Sequence, residues 1–171
     1  MFVKIPRAGL YHSIFFEIFY AIKTLFFPLN NQALIVKFNN IFAKYIGRKF
    51  CISFPFARTA IYYSLRSQKF PPGSEIIMPC ITIKPILDAV LDLKLKPIFD
   101  DLDINSLSLD INKLEEQITK NTKAILITYL YGIVPDIEKI VNKSKEHGLF
   151  IIEDFSQCLN GRAANGIKVG C

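Results

Sequence analysis

The chain has 171 residues, of which 51% are hydrophobic and 21% are charged. This length and composition suit one globular domain with a sizeable core, and they exclude a disordered or low-complexity chain. Residues 1–70 carry ten Lys/Arg and one acid, whereas residues 71–171 carry eleven basic and fourteen acidic residues. The basic first part also holds 17 of the 22 Phe and Tyr. We interpret it as a helical layer with solvated lysines; a surface for a membrane, a nucleic acid or a phosphorylated ligand is the alternative.

The cysteines and histidines have no metal-binding spacing. No two cysteines form a Cys-x-x-Cys pair, and the two histidines are far apart; these residues are Cys51, Cys80, Cys158, Cys171, His12 and His147. We therefore expect no metal site here, and reduced, structural cysteines in a cytoplasmic protein.

The first predicted helix, Ile14–Phe27, is very apolar. It lies between Ser13 and Pro28, which makes it too short to span a bilayer, and it contains Glu17 and Lys23 without a signal-peptide cleavage pattern. Its polar residues recur at helical spacing and form one narrow stripe of Ser13, Glu17, Tyr20 and Thr24. The pattern predicts a mostly buried amphipathic helix, with an interfacial membrane helix as the alternative.

Two more helices are predicted before residue 71, at Gln32–Ile46 and Ala57–Gln68. A short apolar strand, Cys51–Phe54, precedes the second of them. Such a strand-to-helix step can present free backbone N–H groups, which suit a phosphate. Arg58 and Thr59 open this helix and could bind an anion, although a surface pair is an equal alternative.

From about residue 72 onward, strands alternate with helices. The predicted strands are Glu75–Pro79, Lys96–Phe99, Ala124–Leu130 and Leu149–Glu153. The predicted helices are Lys84–Leu93, Ile111–Thr119 after Asp110 as N-cap, and Pro135–His147 with Pro135 in its first turn and Gly148 as its stop. This alternation predicts parallel βαβ units, and apolar strands predict a sheet covered on both faces. The expected fold is a three-layer α/β/α domain with a mostly parallel sheet, preceded by helices.

Acidic residues follow two of these strands. Asp154 comes directly after the last strand, and ligands of open α/β sheets bind outside the carboxyl ends of the strands. Such an acid can hold Mg²⁺, bond a sugar hydroxyl, pair with a heterocyclic nitrogen or merely cap a helix. Gln157, three residues on, can lie one helical turn away on the same side. The other acids, Asp100, Asp101 and Asp103, are interpreted as a solvated loop rather than a metal site.

The order of segments resembles the DegT/DnrJ/StrS family of sugar aminotransferase-like proteins, a branch of pyridoxal-phosphate (PLP) fold type I. PPGSEIIMPCIT (71–82) is similar to that family's Gly-Asp-Glu-Val-Ile-x-Pro strand. KPIFDDLDINSLSLD (96–110) is similar to its Lys-Pro-Val-Phe…Asp-Val-Asp segment and the Leu-x-Leu-Asp that follows.

Three later segments continue the resemblance in the same order. TKNTKAILITYLYG (119–132) is similar to the family's Thr-x-x-Thr-Lys-Ala-Ile strand ending in Tyr-Gly. HGLFIIEDFSQ (147–157) is similar to its His-Gly-Leu…Ile-Glu-Asp-Ala-Ala-Gln, and NGIKVGC (165–171) to its Gly-x-x-Val-Gly-Ser turn. The resemblance runs from about residue 54 to the last residue.

The resemblance implies pyridoxal 5′-phosphate as cofactor. It implies that Asp154 pairs with the pyridinium nitrogen, that Gln157 contacts the cofactor near its ring hydroxyl, and that Glu153 is structural. The family's phosphate-binding Gly-Thr-Ala-Ala turn aligns with residues 57–60, which gives phosphate contacts to Arg58 and Thr59.

The chain departs from the family at several positions. Ile83 stands where an aromatic residue stacks on the cofactor, Tyr129 replaces a histidine, and Leu159 and Asn160 replace a His-Gly pair. The family's Schiff-base lysine lies beyond the Val-Gly-Ser turn, and no lysine here is in its motif. We therefore expect residues 51–171 to be an incomplete large domain after a helical segment at 1–50, in a truncated chain that is inactive alone.

Three functional hypotheses follow. The first is a PLP-dependent aminotransferase acting on a nucleotide-linked keto-sugar with an amino donor such as glutamate, in sugar or surface-polysaccharide biosynthesis. The second is an inactive remnant or partner subunit, working as a homodimer or with a complementing chain. The third is a membrane-surface protein that uses its basic, aromatic helices; a nucleic-acid partner is not expected.

Overall fold

The computed structural model describes residues 13–26, 31–104 and 107–170. They form two compact units, one up to Phe38 and one from Asn39 onward. The helices are α1 Ile14–Phe26, α2 Gln32–Ile46, α3 Ala57–Ser67, α4 Lys84–Asp92, α5 Ile111–Gln117 and α6 Ile137–Glu146. The strands are β1 Glu75–Pro79, β2 Lys96–Asp100, β3 Leu102–Asp103, β4 Ser108–Leu109, β5 Thr122–Thr128 and β6 Phe150–Asp154.

Helix α1 matches the predicted position, although Phe27 and Cys171 lie outside the described residues. The prediction that this helix is mostly buried is wrong, because every residue of α1 is exposed. The described residues of its own unit provide no apolar layer that covers it. No helix in the described ranges is both long enough and apolar enough to cross a membrane.

The main sheet has four parallel strands in the order β2-β1-β5-β6. A separate antiparallel pair, β3 and β4, lies in the connection between β2 and α5. From β1 the chain continues to β2, which is an edge strand. It then returns to the other side of β1, where β5 and β6 lie. The strand order therefore reverses between β1 and β5.

Successive strand residues face opposite sides of the sheet, as a period of two requires. On one face, Ile76 and Leu126 pack with the helices α3 and α4; the buried members of this core are Ile61, Leu65, Ile76, Met78, Ile86, Val90, Leu95, Ala124, Leu126 and Ile152. On the other face, the core includes α5 and α6 and consists of Ile77, Leu109, Leu114, Ile125, Ile127, Tyr129, Ile140, Cys158 and Val169. The predicted three-layer α/β/α arrangement is confirmed.

Two predicted element boundaries are wrong. Residues 51–54 form no strand, and the side chains of Cys51 and Ser53 donate hydrogen bonds to Asn39 Oδ1 instead. Pro135 lies before α6 rather than in its first turn, because the side chain of Asp136 caps the helix by accepting from the backbone N–H of Lys139 (3.5 Å).

The interpretation of the acidic run as a solvated loop is wrong for Asp100. β2 extends one residue further than predicted, so Asp100 pairs with Pro79 and is fully buried, while Asp101 is exposed. Gln117 Nε2 donates to Asp100 Oδ1 (2.5 Å). Burial disfavours the charged carboxylate and raises the pKa of Asp100 to about 6, even though that hydrogen bond acts in the opposite direction. Within the described residues, no group of three His, Cys, Asp or Glu could hold a metal ion.

Replacement of Asp100 by Asn tests this buried carboxyl. Since folding raises the pKa of Asp100 from 3.8 to about 6, the folded chain gains stability from this residue as the pH falls through 6 towards 4. Asp100→Asn removes the buried charge, so we expect a free energy of unfolding about 1–3 kcal/mol above wild type at pH 7.5. The difference is expected to vanish near pH 4. Urea unfolding from pH 4 to 8 measures it, with the exposed Asp101→Asn as control; a difference that does not depend on pH contradicts it.

Candidate functional site

A cavity of about 310 Å³ opens at the carboxyl ends of the central strands. It lies where the strand order reverses between β1 and β5, which is the position where open parallel sheets bind ligands. Its lining comes from the segments after β1, β5 and β6 and from the start of α3; the residues are Phe56, Ala57, Arg58, Ile81, Thr82, Ile83, Ile86, Thr128, Leu130, Tyr131, Asp154, Ser156 and Gln157. Four of the five predicted site residues, namely Arg58, Ile83, Asp154 and Gln157, are among them.

Asp154 is the last residue of β6 and is partly buried at the cavity wall. Its backbone C=O accepts from Tyr129 N–H (3.0 Å), which ties it to the neighbouring chain end. Its side-chain Oδ1 accepts from Ser156 N–H (3.1 Å). The carboxylate is therefore fixed in orientation by its own turn while it faces the cavity.

Gln157 reaches the cavity by a route different from the one predicted. The residues after Asp154 form a turn rather than a helix, so the helical spacing argument does not apply. Gln157 Oε1 accepts from the backbone N–H of Tyr131 (3.0 Å). Tyr131 has φ +56° and Gly132 has φ +82°, and this left-handed pair turns the chain so that the amide of residue 131 points at the glutamine.

Arg58 lies at the start of α3, beside the cavity. No side chain caps this helix end, whose N-cap residue Phe56 has an extended backbone. The Arg58 guanidinium lies 3.9 Å from the centre of the Phe56 ring, a cation–π contact that orients it. Thr59 does not line the cavity; it lines a neighbouring shallow groove with Tyr62 and Asp88.

Two threonines that sequence reasoning missed contribute buried hydroxyls to the lining. Thr82 Oγ1 and Thr128 Oγ1 are buried, and neither has a hydrogen-bond partner in the structure. Thr128 is paired in register with Asp154 across the β5–β6 ladder. Buried polar groups are normally satisfied, so two unpartnered hydroxyls on one cavity indicate a polar ligand. Their positions in the sequence could have identified these two threonines as candidates, because each lies at or just after the carboxyl end of a strand.

Glu153 is not among the residues that line this cavity, and its carboxylate takes part in hydrogen bonds elsewhere. Its Oε2 accepts from Tyr129 Oη (2.6 Å) and from the backbone N–H of Gly170 (3.1 Å). Tyr129 is fully buried, and burial together with this carboxylate raises the pKa of its phenol. The tyrosine therefore stays neutral and donates a hydrogen bond to Glu153. Through Glu153, the end of β5 is connected to β6 and to the loop before residue 171.

Loss of this hydroxyl leaves a partly buried carboxylate with one donor fewer. We expect Tyr129→Phe to lower the free energy of unfolding by about 1–3 kcal/mol, because a hydrogen bond to a charged group is lost without a new cavity. Chemical denaturation measures the change, and the exposed Tyr131→Phe is the matched control. Equal stability of Tyr129→Phe and wild type contradicts the assigned bond.

Comparison with known proteins places these features in a family. The model of the DegT/DnrJ/EryC1/StrS aminotransferase family matches residues 29–171. GDP-perosamine synthase of Caulobacter vibrioides is 35% identical over 136 residues, which are 80% of this chain and 36% of that protein. The dTDP-3-amino-3,6-dideoxy-alpha-D-galactopyranose transaminase of Aneurinibacillus thermoaerophilus is 35% identical over 133 residues, 78% of this chain and 36% of that protein.

Solved structures agree. DesV of S. venezuelae, in complex with a ketimine intermediate, superposes with a TM-score of 0.81 at 26% identity, covering 91% of this chain and 42% of that one. NtdA of Bacillus subtilis, with bound cofactor PMP, superposes with a TM-score of 0.72 at 28% identity, covering 82% and 32%. The chain thus spans about a third of the length of the two relatives above, 36% of each. It belongs to the DegT/DnrJ/EryC1/StrS aminotransferase family, whose cofactor is pyridoxal phosphate.

Proposed function

We propose that this chain supplies the cofactor-binding part of a PLP-dependent aminotransferase that acts on a nucleotide-linked keto-sugar. The observation that carries the proposal is the position of Asp154, a fixed carboxylate at the carboxyl end of β6 on the wall of the cavity. The similarity to a GDP-perosamine synthase and a dTDP-amino-sugar transaminase supports a nucleotide-sugar substrate. Glutamate is the proposed amino donor, and sugar or surface-polysaccharide biosynthesis the proposed context.

The residues around the cavity fit the cofactor. The unpartnered hydroxyls of Thr82 and Thr128 offer hydrogen bonds to a polar ligand. The uncapped start of α3 and the Arg58 guanidinium suit a phosphate, since free backbone N–H groups and a cation both favour an anion. Thr59 lines the neighbouring groove and not the cavity. Its side chain would therefore have to change rotamer to contact such a phosphate.

Pyridoxal phosphate, when bound, supplies an electron-accepting pyridinium ring. Asp154 would hold a proton on the ring nitrogen, because a carboxylate beside that nitrogen favours its charged form. Gln157 would lie beside the ring, positioned through its bond to the Tyr131 amide. Ile83, which is 58% exposed on the cavity rim, would cover the ring face by dispersion without aromatic stacking.

No lysine is found among the described residues that line the cavity. This supports the proposal that the Schiff-base lysine is not one of these 171 residues and that this chain alone is inactive. We further propose that the chain works as a homodimer or with a complementing chain, and that it acts in the cytoplasm. The free thiols of Cys51, Cys80 and Cys158 fit a reducing compartment.

Binding of pyridoxamine phosphate to the full chain tests the proposed site. This amine form of the cofactor lacks the aldehyde that reacts with surface lysines, so Schiff-base formation does not contribute to the measured affinity. We expect Asp154→Asn to weaken binding about tenfold, because the amide cannot pair as an anion with the pyridinium. Isothermal titration calorimetry measures the affinity, and the exposed Asp101→Asn is the matched control. Equal affinities for both variants contradict the role of Asp154, and no binding by wild type contradicts the proposed function.

Borohydride trapping tests the proposed absence of the lysine. We expect the chain, mixed with pyridoxal phosphate and reduced, to show only scattered, sub-stoichiometric labelling of exposed lysines in peptide mass spectrometry. Pyridoxal phosphate without reductant is the control. One stoichiometric adduct at a single lysine overturns the proposal that the Schiff-base residue is missing.

A further inference from the structure

Thr128 is the residue of β5 that lies beside Asp154 at the cavity. The two residues are partners in the register of β5 and β6, so their Cα atoms are about 4.8 Å apart. Their side chains are on the same face of the sheet, because Leu126 and Ile152, two residues before them, both belong to the core that packs with α3 and α4. Thr128 and Asp154 both line the cavity. A ligand that reaches Asp154 is therefore a neighbour of Thr128.

The hydroxyl oxygen of Thr128 is buried and has no hydrogen-bond partner among the described residues. The carboxylate on the adjacent strand does not satisfy it, since Asp154 Oδ1 accepts from the backbone N–H of Ser156 (3.1 Å). Rotation about χ1 to another staggered position moves a threonine hydroxyl to the place of its methyl group, so this hydroxyl can point into the cavity that its side chain lines. Because buried polar groups are normally satisfied, the missing partner of Thr128 is expected to come from the ligand.

The polar groups of the proposed cofactor divide among the walls of the cavity. Its ring nitrogen is assigned to Asp154, and its phosphate to Arg58 and the start of α3. The carbon that carries the amino group has to stay open for the reaction. The remaining polar group is the ring oxygen, which accepts two hydrogen bonds. Gln157 uses its amide oxygen to accept from Tyr131 N–H, which leaves its NH₂ as one donor, and the hydroxyl of Thr128 is a second donor on the adjacent strand end.

We propose that Thr128 is a specificity residue whose hydroxyl donates a hydrogen bond to the ring oxygen of the bound cofactor. This role rests on the proposed function, since only a bound cofactor supplies that oxygen. Recognition of the ring edge is then shared by two adjacent strand ends, with Asp154 of β6 at the nitrogen and Thr128 of β5 at the oxygen. A site built in this way distinguishes the cofactor from an analogue that lacks the ring oxygen, and the distinction depends on Thr128.

Calorimetric titration of the full chain with two ligands tests this role. The ligands are pyridoxamine phosphate and its 3-deoxy analogue, which lacks the ring oxygen. Thr128→Val removes the hydroxyl and nearly keeps the side-chain volume. We expect it to weaken binding of pyridoxamine phosphate about five- to tenfold, because one hydrogen bond is lost, and binding of the 3-deoxy analogue by under about twofold. Thr128→Ser keeps the hydroxyl and is expected to distinguish the two ligands as wild type does.

The matched control is Thr82→Val, which removes the other unpartnered hydroxyl of the cavity, on the segment after β1. We expect it to change the affinities for both ligands by the same factor. Comparison of two ligands within one variant cancels a general loss of folded protein, and Thr128→Ala replaces Thr128→Val if circular dichroism shows that the valine variant does not fold. Equal weakening of both ligands by Thr128→Val, with normal binding by wild type, overturns the role of Thr128 and leaves the proposed function intact. No binding of pyridoxamine phosphate by wild type overturns both.

The absorption band of bound pyridoxamine phosphate gives a readout that does not depend on affinity. Its position responds to the ionisation and hydrogen bonding of the ring oxygen. At saturating ligand, we expect Thr128→Val to shift this band relative to wild type, and Thr128→Ser and Thr82→Val to leave it in place. A band of the Thr128→Val complex at the wild-type position overturns the proposed hydrogen bond.

Discussion

The parallel pairing of β1 with β5 is the constraint on which the candidate site depends. Glu75, Ile76 and Ile77 of β1 bond to the start of β5, and the chain has already run outward to β2 before it returns to this position. Parallel strands bring all their carboxyl ends to one edge, and the reversal of order leaves a crevice between two connections that diverge. The cavity, the cavity threonines and Asp154 all lie at this edge.

The two edges of the sheet differ in how completely their polar groups are satisfied. At the amino end, the buried carboxylate of Glu75 accepts hydrogen bonds from Thr119 Oγ1 and Thr122 Oγ1 and pairs with Lys96. These partners hold the pKa of Glu75 below its ordinary value, and the hydrogen bond from Thr119 makes the largest contribution. At the carboxyl end, the hydroxyls of Thr82 and Thr128 have no partner. Buried polar groups that have hydrogen-bond partners are expected at the edge that stabilises the fold. Buried polar groups without partners are expected at the edge that binds a ligand.

Hydrogen bonds between side chains and neighbouring segments hold the connections at the carboxyl edge. Glu153 accepts from Tyr129, Gln157 accepts from the amide of Tyr131, and Asp154 accepts from its own turn. Each bond fixes a loop while it leaves the cavity open. Tyr129 is fully buried and donates a hydrogen bond to Glu153, which links the end of β5 to β6.

Much of the site could be predicted from the sequence because its signals are local. Apolar β-branched runs, helix stops and the order of motifs identified the strands and the family, and the place of Asp154 after a buried run identified its edge of the sheet. Other features depended on contacts between distant residues. The burial of Asp100, the loop at 51–54 held by Asn39 and the route by which Gln157 reaches the cavity all result from partners that local patterns do not specify.

By itself, then, the sequence determined the layer order, the family and the position of Asp154 at the end of its strand, since these depend on periodicity and on motifs within short segments. Only the tertiary structure decided which side chains share the cavity: it added Thr82 and Thr128, left Thr59 in a neighbouring groove and left the residues of α1 exposed. The physical reason is that burial and hydrogen-bond satisfaction are properties of packed neighbours, and strand order rather than sequence distance chooses those neighbours.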